Sequence, residues 1–156
     1  LCIEQFMPFT APDTFAKKEH CEGGNNPKVL IVEDEKLLRI SLQRLLVECG
    51  YDVTITNCGK TALRELSISN FQLVITDIRL PNIDGLEVAF SAKEKNPATA
   101  VILTSAQSIE QIKEKAKLVG ADAFFEKPFD LQEFCNVAKQ TIKNGASLKS
   151  QMTNPQ

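Results

Sequence analysis

At 156 residues, with 43% hydrophobic and 24% charged residues, the chain has the length and composition of one soluble globular domain with some length to spare. A net charge of -2 and a pI near 5.5 argue against general attraction to nucleic acid or to anionic membranes. No apolar run approaches the roughly 18 residues of a membrane helix, and the core can form without covalent staples.

Residues 1–27 are punctuated by Pro8, Pro12, Gly23, Gly24 and Pro27 and show no helical or strand period. They read as a flexible leader, with the alternative that Phe6, Phe9 and Phe15 dock on a groove of the domain or of a second copy. Acids and prolines break any secretory signal pattern. The chain begins with Leu1, which leaves open that it is a piece of a longer protein.

From Lys28 the pattern is regular. Residues 28–32 form a short β-branched run, a first buried strand that ends in Glu33, Asp34 and Glu35. Leu38, Leu42, Leu45, Leu46 and Cys49 recur at helical spacing and stop at Gly50. Residues 51–56 alternate as a second strand, and residues 59–66 form a short helix. Leu73-Val74-Ile75-Thr76-Asp77 is a third strand closed by an acid. Residues 86–95 form the next helix, stopped before Asn96-Pro97. A fourth strand covers residues 100–104. Ser108 to Gln111 has the form of a capping box before a helix that Gly120 ends. Ala123-Phe124-Phe125 is a fifth strand running into Lys127-Pro128. Asp130 to Glu133 caps a last helix, with Leu131, Phe134, Ala138, Thr141 and Ile142 inward and Gly145 as its stop. Residues 28–145 thus form one domain, and residues 146–156 read as a polar tail or the start of a linker.

Five βα repeats specify an α/β fold, a doubly wound parallel sheet with helices on both faces. The flavodoxin-like order 2-1-3-4-5 suits five strands and puts the switch point between strands one and three. Those strands end in Glu33, Asp34 and Asp77. Three neighbouring carboxylates repel one another, and a hard divalent cation relieves this. Helix capping by these acids is the alternative, but capping accounts for one acid per loop and not for the pair. The fourth strand end adds Thr104 and Ser105, and the fifth adds Lys127. Acids, a hydroxyl and an ammonium suit phosphoryl transfer to a carboxylate.

Five cysteines, at positions 2, 21, 49, 58 and 135, lack CxxC spacing, so neither a zinc site nor a disulfide framework is indicated. Cys49 and Cys135 read as small core or boundary residues, and His20 reads as solvated. The usage fits a reducing cytoplasm.

Val-Leu-Ile-Val-Glu-Asp-Glu at 29–35, Val-Ile-Thr-Asp-Ile-Arg-Leu-Pro-Asn-Ile-Asp-Gly at 74–85, Ile-Leu-Thr-Ser-Ala at 102–106 and Lys-Pro-Phe at 127–129 together resemble the receiver domain of two-component response regulators. The resemblance implies that Asp77 is the phosphoacceptor. It implies Mg²⁺ (or Mn²⁺) bound by Asp34, Asp77 and the backbone carbonyl of Arg79, with Glu33 acting through water. Lys127 would pair with the phosphoryl group. Spacing to Lys127 favours Ser105 over Thr104 as the switch hydroxyl. The aromatic switch position falls on Phe124, and the Lys127-Pro128 bond is expected to be cis. Arg79 and Gln107, two residues beyond Asp77 and Ser105, would tune phosphoryl lifetime.

The implied function is a phosphorylation-controlled switch and not an enzyme turning over a separate substrate. A sensor histidine kinase or phosphotransfer protein would be the donor. An effector would read the face made by helix four, strand five and helix five, with no direct binding of nucleic acid or membrane. Mixed charge on that face (Lys113, Glu114, Lys117, Glu133 and Lys139) either pairs across a phosphorylation-dependent homodimer or is solvated. A phosphatase using an aspartyl-phosphate would want an acid at position 79, where Arg79 stands. The alternative within the fold is a docking protein that works without phosphorylation.

Overall fold

The computed structural model describes residues 25–152. Cys2, His20, Cys21 and the phenylalanines of the leader lie outside the described residues, as do residues 153–156 of the tail. Strands and helices alternate in the order β1 (Lys28–Val32), α1 (Lys36–Glu48), β2 (Asp52–Thr56), α2 (Gly59–Ile68), β3 (Leu73–Asp77), α3 (Gly85–Lys95), β4 (Ala100–Ser105), α4 (Ile109–Leu118), β5 (Ala123–Glu126) and α5 (Leu131–Met152). All strands pair in parallel in the order β2-β1-β3-β4-β5, the flavodoxin-like arrangement expected from the sequence.

The strands are apolar runs because helices cover both faces of the sheet. Successive side chains then enter opposite layers. Leu30, Val74, Val101 and Leu103 pack with Ala62, Val88 and Ile112 of α2, α3 and α4. Val29, Ile31, Ile75 and Ile102 pack with Leu42, Leu46 and Phe134 of α1 and α5. Phe134 is fully buried, and its ring centroid lies 4.9 Å from that of Phe125 and 5.2 Å from that of Phe129. Burying one such side chain is worth about 1.5–3 kcal/mol.

Helix ends mostly follow the sequence. Gly50 (φ 90°) and Gly120 (φ 72°) take the left-handed conformation that stops α1 and α4. Asp84 caps α3, with its Oδ1 accepting from Leu86 N at 2.9 Å, and Asp130 Oδ1 accepts from Glu133 N at 2.8 Å at the start of α5.

Two expectations are corrected. The capping box at Ser108 does not form, and the Ser108 hydroxyl takes none of the first-turn N–H groups. A backbone bond from Gln111 N to Ser108 O (3.1 Å) tightens that turn instead. Helix α5 also runs through Gly145 to Met152. Gly145 is needed for close packing, because a Cβ there would collide with the Ala98 carbonyl oxygen.

Candidate functional site

The register brings the reactive groups to one edge. Val32 pairs with Thr76 and with Thr56, and Asp77 pairs with Thr104, so the C-terminal ends of β1, β3 and β4 are level. Carboxylate oxygens of Glu33, Asp34 and Asp77 all lie within 4.8 Å of one another. Asp34 is exposed, whereas Glu33 and Asp77 are buried at 1% and 6% exposure. The junction after β3 is built around Gly85. Its N–H donates to Ile78 O at 2.8 Å, and any Cβ would strike the Asp77 carbonyl oxygen. The loop folds back under the strand end and holds the acid there.

Lys127 bridges the two buried acids. Its Nζ lies 2.7 Å from Asp77 Oδ2 and 2.8 Å from Glu33 Oε2. The preceding Glu126 ends β5 beside Ser105, and Lys127 N donates to Ser105 O at 2.8 Å, which fixes the lysine's backbone to β4. The Lys127–Pro128 peptide is cis. Burial alone would lower the lysine pKa, but the hydrogen bond to Asp77 and the ion pair with Glu33 outweigh it and hold the ammonium above its ordinary value. Glu33 goes the other way. Burial, with Asp77 beside it, pushes its carboxyl up to about 7 despite the Lys127 ammonium.

The capping alternative fails on geometry. Glu33 Oε1 accepts from Glu35 N (3.0 Å), which precedes α1, and Asp77 Oδ1 accepts from Arg79 N (3.1 Å) inside the loop. Neither acid takes an N–H of a helix first turn. Three carboxylate donors, two of them buried, are the chemistry a hard divalent cation fits.

Ser105 ends β4, with its Oγ accepting from Gln107 N at 3.0 Å. Thr104 is also buried, and its Oγ1 has no hydrogen-bond partner. Phe124 is half-buried against the α2–α3–α4 layer of the core. Arg79 is exposed and Gln107 half-buried, and both line a groove of about 520 Å³ between the loop after β3 and α4, together with Asn82 and Lys115. Sequence reasoning missed Arg39. Its guanidinium donates to the carbonyl oxygens of Glu33 (2.8 Å) and Asp34 (3.2 Å) and so braces the acidic loop. Its place one helical turn after Glu35 was the available signal.

Residues 29–139 match the model of the response regulator receiver domain. Among curated proteins, the response regulator ArlR of Staphylococcus saprophyticus is 37% identical over 106 residues, covering 68% of this chain and 48% of ArlR. The chain spans about half the length of the curated relatives it matches. Among solved structures, a CheY-like receiver domain from Methanospirillum hungatei superposes with a TM-score of 0.75 at 24% identity, over 79% of this chain and 98% of that one. The beryllofluoride-activated receiver domain of DrrB, a Thermotoga maritima protein, superposes with a TM-score of 0.70 at 26% identity, over 76% of this chain and 98% of that one. No helix among the described residues is long and apolar enough to cross a membrane. With the fold, the acidic pocket and these likenesses together, the chain belongs to the response regulator receiver domain family, whose members are phosphoryl-accepting switches served by histidine kinases.

Proposed function

We propose that Asp77 is the phosphoacceptor, taking a phosphoryl group from a histidine kinase or phosphotransfer protein. The observation that carries this is the Lys127 ammonium held 2.7 Å from a buried Asp77 carboxylate, with two more acids at the same edge. The Asp77 oxygen attacks phosphorus in line as the donor's bond to phosphorus breaks. Lys127 leaves the carboxylate pair for an oxygen of the transferred group. Ser105 donates its hydroxyl to another, drawing the loop after β4 inward. Glu33, Asp34, Asp77 and the Arg79 carbonyl would hold Mg²⁺ or Mn²⁺, which supplies positive charge toward the phosphoryl oxygens when bound.

The consequence is a conformational switch. Phe124 has no hydroxyl, so its movement into space left by the β4 loop is driven by packing. The face of α4, β5 and α5 then changes for an effector. Arg79 and Gln107 line the groove beside the site and set how readily water reaches the acyl phosphate. The test is a titration with beryllofluoride and Mg²⁺, read by amide NMR. Saturable shifts at Arg79, Ser105 and Lys127 that require both reagents support the assignment. Unchanged spectra at those amides would favour a docking protein that works without phosphorylation.

A further inference from the structure

On the sheet face away from the groove, Cys49 caps the C-terminus of α1 and Cys135 lies in the first turns of α5. Their sulfurs are 2.9 Å apart although the residues are 86 positions apart in the chain. Both thiols are free. Cys135 is buried at 2% exposure, whereas Cys49 is half-buried and reachable from solvent. A disulfide needs sulfurs at about 2.05 Å, so the two sulfurs have to approach by a further ~0.9 Å. The third described cysteine, Cys58, instead contacts Thr61 Oγ1 at 3.1 Å.

We propose that Cys49 and Cys135 form a thiol modification site that reacts with small disulfides and closes into an intramolecular bond between α1 and α5. The Cys49 thiolate attacks one sulfur of the small disulfide. A new sulfur–sulfur bond forms at Cys49, and one small thiolate leaves. Cys135, already in contact, attacks the Cys49 sulfur and expels the second. Two protein thiols are oxidised, one small disulfide is reduced to two thiols, and the two cysteine protons end on those thiols. Burial first, and the Cys135 thiol second, push the Cys49 thiol up to about 11, so closure is slow at neutral pH and the attacking sulfur is strongly nucleophilic once ionised. The bond ties α5, the helix after the Lys127 loop, to the end of α1.

The test equilibrates the full chain in a glutathione redox buffer at mildly alkaline pH, approached from both the reduced and the oxidised side. The products are mapped as non-reduced peptides by mass spectrometry. The expected product under oxidising poise is a Cys49–Cys135 linked peptide lacking two hydrogens. The oxidised form should melt roughly 5–15 °C higher, because the cross-link restricts the unfolded chain. It should also exchange α5 amides more slowly. Cys49→Ser, at the more exposed position, should abolish both differences without needing a core change. Free thiols at equilibrium, a glutathione adduct left on Cys49, or a bond to Cys2, Cys21 or Cys58 would overturn the proposal.

Discussion

The Lys127 ammonium sits between Asp77 and Glu33, 2.7 Å from one carboxylate and 2.8 Å from the other, and so occupies the oxygens that a divalent cation and a phosphoryl group would use. One side chain thus offsets part of the pocket's negative charge and competes for its oxygens. Lys127→Ala should therefore separate two quantities. Mg²⁺ should bind more tightly, because a competing cation is gone, while phosphoryl transfer slows by about 10²–10³-fold through loss of transition-state charge stabilisation. Isothermal titration and single-turnover transfer measure the two. Weaker Mg²⁺ binding in the variant would contradict this competition.

Glu33 makes the pocket sensitive to pH. Its ordinary value is 4.5, and burial raises it to about 7 in the fold. Between those values the unfolded chain has released a proton that the native chain keeps. The contribution of Glu33 to stability therefore falls as pH rises from about 4.5 to about 7. Thermal melts in chelator across that window should show the decline, and Glu33→Gln should flatten it.

Thr104 and Ser105 differ in what their hydroxyls do. Thr104 Oγ1 is buried without a partner, so Thr104→Val should leave stability unchanged or raise it by about 1 kcal/mol. Ser105 Oγ accepts from Gln107 N, so Ser105→Ala should cost about 1 kcal/mol. Only the Ser105 change should also blunt the beryllofluoride response. Urea unfolding and the NMR titration separate these outcomes.

Gly85 is packed against the Asp77 backbone. Gly85→Ala should destabilise the domain by about 2–3 kcal/mol, because overpacking there must move the strand end itself. Denaturant unfolding gives the loss, and Mg²⁺ affinity should drop with it.

The strand runs were legible because a sheet buried on both faces demands continuous apolar stretches, and Gly50 and Gly120 marked helix ends by backbone conformation. The acids were legible because Glu33-Asp34 and Asp77 each close such a run, and the switch point of the fold puts those runs side by side. What escaped depends on tertiary placement. The close approach of Cys49 and Cys135 exists only once α1 and α5 cover the same face. Gly145 resembles a helix stop, but its position is dictated by the Ala98 carbonyl on another segment. Ser108 has the composition of a capping box, yet the tight backbone turn at Gln111 N satisfies the helix start without its side chain.

The most direct test of the central claim is the intact mass of the protein after exposure to acetyl phosphate, with Mg²⁺ or with chelator, for the wild type and Asp77→Asn. The expected result is one added phosphoryl group that requires Mg²⁺ and is absent from the variant. An adduct that persists in Asp77→Asn, or that forms equally well in chelator, would contradict it.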